Sequence, residues 1–207
     1  MKKLLAIVLC WIMLFLCACS PASPNTETLR KALPALPYSE SDEMTWFAQS
    51  TFADLQKYVY PAEDAIIRGT VEEAYSSSAG ESADICYLRI RVTDKIACKN
   101  GISVPDPVTV SAANASLYKC DFADFTGKGL IIPLDAWTAD DGWAQMEDVP
   151  FHTDLSVGFY VSDGYLLSIF DRSCTNELNG TAAGDFRKKC TDACTVEMED
   201  LLKKYRS

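Results

Sequence analysis

Between Val157 and Phe170 the chain reads Val-Gly-Phe-Tyr-Val, then Ser162-Asp163-Gly164, then Tyr-Leu-Leu-Ser-Ile-Phe. Two apolar runs around an Asp-Gly pair mark a two-residue hairpin, because the central positions of such a turn need positive φ, which Asp tolerates and Gly adopts freely. The same period-two habit recurs upstream. Asp64 to Glu73 sets Ile67 and Val71 on one face around Gly69, against Arg68, Thr70 and Glu72 on the other. Tyr87 to Val92 sets Leu88, Ile90 and Val92 against Tyr87, Arg89 and Arg91. Val108 and Val110 follow a Pro105/Pro107 turn, and Leu130, Ile132 and Leu134 follow Gly127 and Gly129. Several short strands with turn residues between them predict a small antiparallel barrel or sandwich.

Helices are expected at both ends of this β region. Ser39 to Tyr58 opens on Ser and acidic residues suited to an N-cap and first turn, then repeats apolar residues at Met44, Phe47, Ala48, Phe52 and Leu55 until Pro61 stops it. Asp185 to Tyr205 carries Phe186, Cys190, Cys194, Met198, Leu201 and Tyr205 in steps of three and four, one apolar stripe on a helix. The expected fold class is therefore mainly β (α+β): a small antiparallel β-barrel flanked by an N-terminal and a C-terminal helix, one domain over residues 39–207. A chain of 207 residues has no room for two large domains.

Ahead of that domain, Lys2 and Lys3 precede fifteen uncharged residues from Leu4 to Ala18. That run is shorter than the roughly 20 residues a permanent membrane-spanning helix needs, and it reads as a signal-peptide core. It ends in Leu16-Cys17-Ala18-Cys19, which resembles the lipobox of bacterial lipoproteins: a branched apolar residue, a small residue before the cut, and the acceptor cysteine. The resemblance implies a lipoprotein signal peptide over residues 1–18, cleavage after Ala18, a diacylglycerol (palmitate-type) anchor on Cys19, and residence on the outer face of the bacterial cytoplasmic membrane. Two acyl chains give stable attachment. Residues 19–38, with Pro21, Pro24, Pro34 and Pro37 among Ser, Asn and Thr, read as a spacer. Without Lys2 and Lys3 the chain holds 17 basic against 29 acidic residues, a net charge of −12, so no broad basic face is available to nucleic acid.

The order of helix, Ala-Ile-Ile-Arg-Gly-Thr-Val, Leu-Arg-Ile-Arg-Val, Val-Thr-Val, Gly-Leu-Ile-Ile-Pro-Leu and the closing Asp-Gly hairpin resembles a set of uncharacterised Gram-positive surface lipoproteins. Their domain is similar to the OB-type barrel of tissue inhibitors of metalloproteinases. The resemblance covers about residues 40–207 and implies an OB-like barrel. Those inhibitors act through a free N-terminal cysteine; the corresponding Cys19 here would be acylated and set apart by the spacer, so the resemblance does not imply inhibition.

Chemistry-bearing residues are sparse. Beyond Cys10, Cys17 and Cys19, six cysteines remain: Cys86, Cys98, Cys120, Cys174, Cys190 and Cys194. In an exported domain an even number suggests bridges, with Cys174 to Cys190 or Cys194 the pairing to test; buried reduced thiols are the alternative. His152 reads as a loop or core histidine rather than a catalytic base, and nothing in the spacing of Cys and His matches a zinc site. No nucleophile elbow, phosphate loop or dinucleotide glycine pattern occurs. The stretch from Asp135 to Asp154 is read as a long loop carrying Trp137, Trp143, Phe151 and six carboxylates, among them Asp140 and Asp141. Loops of that length are often functional, and exposed indoles present flat area to a sugar ring or a protein. Asp140-Asp141-Gly142 is also a plain turn, and the indoles could equally pin the loop. Arg68, Arg89 and Arg91 would form an anion-binding face unless they pair with Glu72 or Glu73.

Two functions follow as expectations. The first is a lipid-anchored, non-enzymatic module that binds an extracellular protein or glycan, with no cofactor. The second is an extracytoplasmic hydrolase using carboxylates of the 135–154 loop, which requires two carboxylates facing across a cleft.

Overall fold

A computed structural model of the chain describes residues 25–31, 33, 51–77, 85–112, 121–137, 149–171, 173–197, 200 and 203. Within them the dominant feature is a sheet of seven strands: β1 (Ala65–Ser77), β2 (Ile85–Cys98), β3 (Val108–Ala112), β4 (Gly129–Ala136), β5 (Phe151–Thr153), β6 (Phe159–Ser162) and β7 (Tyr165–Ser168). The order along the sheet is β1-β2-β3-β5-β4-β6-β7, and β1 also pairs with β4 from Ala65↔Leu134 to Thr70↔Gly129. That second pairing closes β1, β2, β3, β5 and β4 into a five-stranded barrel, with β6 and β7 as two extra strands continuing from β4.

Four expected strands and the hairpin are present. At the hairpin tip Asp163 and Gly164 take φ of 50° and 82°, the pair of positive values the Asp-Gly signal called for. One expectation needs correcting: the barrel is not wholly antiparallel. β3 and β5 run parallel, Val110↔Phe151 to Ala112↔Thr153. β5 itself lies inside the stretch read as a long loop, so residues 135–136 and 151–153 belong to strands rather than to a loop.

The run Ala65-Ile66-Ile67 shows how the strands are used. Ile67 points into the barrel with Val71, Leu88, Ile90, Val110, Leu130, Ile132 and Tyr160, whereas Ile66 points outward with Ile96, Ile131 and Phe159. Strands buried on both faces read as continuous apolar runs, not alternation. The outward cluster is covered by irregular and short helical segments: α2 (Phe52–Asp54) running into a π turn (Leu55–Val59), α3 (Ser173–Asn176) and α4 (Phe186–Lys189). Phe186 stands 5.4 Å from Phe159 and 5.8 Å from Tyr60, ring centre to ring centre, and the buried Tyr60 hydroxyl donates to the Val157 carbonyl at 2.8 Å.

Among the described residues neither flanking segment is one continuous helix as expected. The N-cap of α2 is Thr51, in a reciprocal capping box with Asp54, and Pro61 ends the segment as its ring dictates; residues 39–50 lie outside the described part. At the other end the apolar stripe does not ride on one helix. α4 stops at Lys189, Cys190 leaves the helical region at φ −119°, and Cys194 is left-handed at φ 59°. Here the helical spacing is overridden by docking: the Cys194 and Thr195 amides donate to the carbonyls of Tyr60 and Pro61 at 2.9 and 3.0 Å.

The spacer, too, is partly structured. Residues Thr26–Arg30 form α1, capped by the Asn25 side chain. Leu29 and Leu33 pack against the barrel core, and Arg30 donates from Nη1 to the Ser168 carbonyl at 2.8 Å and from Nη2 to Ser168 Oγ at 3.2 Å. No helix among the described residues is long and apolar enough to cross a membrane.

Candidate functional site

Polar side chains converge where β4 and β5 meet the start of β1. Register places Asp135 opposite His152 across the β4–β5 pair and Ser111 opposite His152 across β3–β5, so Ser111, His152 and Asp135 form one row over three strands. The turn before β1 adds Glu63 and Asp64. Asp64 is held in place: its Oδ2 accepts from the Ala136 amide at 2.9 Å, its Oδ1 from Lys99 Nζ at 2.9 Å, and its own amide donates to the Leu134 carbonyl.

Glu63 is 9% exposed and hydrogen-bonded to Asp135. Burial pushes Glu63 well above the usual carboxylate range, reinforced by the negative charge of Asp135, Asp154 and Asp64. Asp135 is raised as well, first by burial, while the nearby His152 works the other way. Two carboxyls this close cannot both ionise, so the pair holds a shared proton, with Glu63 donating to Asp135. Lys99 nearby is opposed by burial, yet its bond to Asp64 keeps its ammonium charged beyond the ordinary range.

Above the pair, the Trp137 ring lies 4.5 Å from the His152 imidazole, centre to centre, and the Trp137 amide donates to the Pro150 carbonyl at 3.1 Å. Both side chains are half-buried. The backbone bond draws the two ends of the 138–148 segment together at the barrel rim. Trp143, Asp140 and Asp141 lie outside the described residues, as do Cys19 and Cys120.

The row of Ser, His and Asp does not make a nucleophilic triad. Ser111 Oγ is buried without a hydrogen-bond partner among the described residues, so the Ser–His bond that would activate it is not formed. Nor do the carboxyls stand apart across a cleft. A direct hydrogen bond between Glu63 and Asp135 leaves no space for a scissile bond, where a retaining glycosidase needs about 5–5.5 Å. The arrangement offers a half-buried indole and imidazole, carboxylate acceptors beside them, and a proton held between Glu63 and Asp135. No group of His, Cys, Asp and Glu suited to a metal ion occurs among the described residues.

The three arginines separate. Arg91 bonds Glu72 from Nε at 2.7 Å and from Nη2, and Arg89 Nε lies 3.6 Å from the same carboxylate, so these two form the cross-strand pairs. Arg68 lies in a separate surface cleft of about 490 Å³ with Thr93, Asp94 and Gly129. They do not form one anion-binding face. Cys86, Cys98, Cys174, Cys190 and Cys194 are unbridged; Cys174, Cys190 and Cys194 share the outward apolar cluster, and burial pushes the thiols of Cys190 and Cys194 up to about 12.

Sequence reasoning named Asp135, Trp137 and Asp154 through their stretch of chain but missed Glu63, Asp64 and Ser111. Glu63 follows Pro61-Ala62 in a non-periodic turn, and only strand register brings it to Asp135. A scan against protein-family models, a search of curated proteins and a search of solved structures return no match to this chain.

Proposed function

We propose that the chain is an extracytoplasmic lipoprotein, anchored through diacylglycerol on Cys19 to the outer face of the cytoplasmic membrane, whose OB-like barrel is a non-enzymatic binding module for a glycan or protein partner. The observation that carries the binding reading is the rim at Trp137 and His152: two half-buried rings tilted against each other, beside the hydrogen-bonded Glu63–Asp135 pair. The OB-like reading draws support from five strands closed by the β1–β4 pair, with Phe122 and Phe125 packed into the barrel core between β3 and β4. The lipid anchor draws support from the lipobox-like Leu16-Ala18-Cys19.

Under this reading the barrel stands near the membrane. Five residues separate Cys19 from Asn25, so even a fully extended chain lets the Asn25 cap of α1 stray no more than about 20 Å from the lipidated residue.

The test has two parts. The intact mass of membrane-extracted protein should correspond to a chain starting at Cys19 plus acyl chains; an unlipidated mass overturns the anchor. Titration of soluble cell-wall glycan fragments, followed by tryptophan fluorescence, should give a saturable change that Trp137→Ala removes. Binding unaffected by Trp137→Ala overturns the assignment of the rim, and turnover of the fragments overturns the non-enzymatic reading.

A further inference from the structure

A cavity of about 470 Å³ opens between the end of β2 and the segment after α4, lined by Ala97, Cys98, Lys99, Ala193, Cys194 and Glu197 among others. Two of its walls are therefore thiols, from positions far apart in the chain. Three sets of bonds hold those walls together. Cys98 is paired with Ala65 at the start of β1, and the following amide, Lys99, donates to the Asp64 carbonyl at 2.9 Å. On the other wall the amides of Cys194, Thr195 and Val196 donate to Tyr60 and Pro61, the residues just before that same start. Across the cavity, Lys99 Nζ reaches Glu197 Oε2 at 3.4 Å.

The two thiols differ in access. Cys98 is exposed and its Sγ makes a weak contact to the Ile102 carbonyl at 3.3 Å, whereas Cys194 is 6% exposed and sits against the outward cluster in a left-handed turn. We infer that Cys98 and Cys194 are the two halves of an oxidation site: a disulfide that joins the end of β2 to the C-terminal segment across this cavity. It differs from the pairing of Cys174 with Cys190 or Cys194 expected from sequence order. Cys174 is fully buried in the apolar cluster, away from any wall that an oxidant can reach.

The chemistry balances with a disulfide-class oxidant. The exposed Cys98, as its thiolate, attacks one sulfur of glutathione disulfide, forming a mixed disulfide and releasing one glutathione thiolate. Cys194, having lost its proton to solvent, then attacks Cys98 Sγ; the Cys98–glutathione bond breaks and the second glutathione leaves. Two protein thiols give up two electrons and one oxidant molecule becomes two thiols. Burial raises both thiols, Cys194 up to about 12, so the second step is the slow one and accelerates with pH. An extracytoplasmic location, as proposed above, is where such oxidants persist, but the geometry is testable without it.

The experiment uses purified full-length protein incubated with glutathione disulfide at pH 8.5, then alkylated, digested without reduction and mapped by mass. The expected product is a crosslinked peptide pair containing Cys98 and Cys194, lost in Cys98→Ser and in Cys194→Ser, with closure about tenfold faster per pH unit below the thiol range. Stable glutathione on Cys98 that never resolves, or a bridge joining Cys194 to Cys174, overturns the inference. Because Cys194→Ser alters a buried position, Cys98→Ser, at an exposed one, is the variant that decides: a bridge to Cys194 persisting in it is equally fatal. None of these outcomes depends on lipidation or on ligand binding.

Discussion

Raising the pH through the weakly acidic range should weaken this domain, and Glu63→Gln should remove much of that loss. In the unfolded chain Glu63 titrates near 4.5, whereas in the folded protein burial and the neighbouring Asp135, Asp154 and Asp64 hold its proton well above that value. Between the two, the folded state carries a proton that the unfolded chain has released. The stabilisation is therefore fully present below 4.5 and is lost as pH rises through the folded value. One such proton gives a slope of about 1.4 kcal/mol for each pH unit inside that window, a sizeable fraction of a total of about 5–15 kcal/mol. Asp135, also raised, acts in the same direction. Asp54 and Asp185, by contrast, are held low, Asp54 by its bonds to Thr51 and Asp185 by Lys188, so their contributions are lost only as pH falls below 3.8 and leave this window untouched. The assay is urea unfolding followed by tryptophan fluorescence at pH 5, 6, 7 and 8. Wild type should lose stability along the series. In Glu63→Gln the amide donates to Asp135 at every pH, and the curve should flatten. Parallel slopes in the two proteins would refute the shared-proton account.

Three further outcomes are expected. Gly69→Ala would place a Cβ 2.4 Å from Ile90 Cγ2 and 2.5 Å from the Arg91 carbonyl oxygen, so overpacking between β1 and β2 should cost about 1–3 kcal/mol or more in urea unfolding. Tyr60→Phe removes a buried donor to Val157 and leaves that carbonyl short of a partner, a loss of about 1–3 kcal/mol read from the thermal midpoint at fixed pH. Arg30→Ala removes the two bonds to Ser168, and limited proteolysis should then cut between Asn25 and Leu33 faster while the barrel's own unfolding midpoint barely moves.

How much of this was legible beforehand follows from the range of the forces involved. β1, β2, β3, β4 and the β6–β7 hairpin announce themselves, because alternation and turn chemistry are local. β5 does not: Phe-His-Thr is three residues, and its strand conformation comes from partners at 110–112 and 135–136. The stripe from Phe186 to Cys194 has helical spacing but is helical only to Lys189, because its far end docks instead: the Cys194 amide is taken by Tyr60, and the next two by Pro61. For the site, Asp135 and Trp137 stood in a conspicuous stretch of chain, but Glu63 acquires its character only from burial beside Asp135. His152, read as a loop or core histidine, lies in β5 against Trp137. That Arg89 and Arg91 pair with Glu72 or Glu73 was readable from strand alternation; the choice of Glu72 was not, since Arg89 lies opposite Glu73 and an irregularity between Val71 and Glu73 shifts the register.

β7 ends the sheet, and a final strand with a bare row of amides and carbonyls is where a second molecule would add itself. Here the row is already taken. The Leu166 amide donates to Thr181 and its carbonyl accepts from Gly180, both at 2.8 Å; the Ser168 amide reaches Asn179 Oδ1 at 2.7 Å, and the Ser168 carbonyl receives Arg30. Three of these stoppers come from the loop after α3, but the fourth comes from the far N-terminal side of the chain. A fragment trimmed to begin at residue 39 would keep every barrel strand and still reopen one acceptor on that strand, trading a segment that looks dispensable for a foothold for self-association.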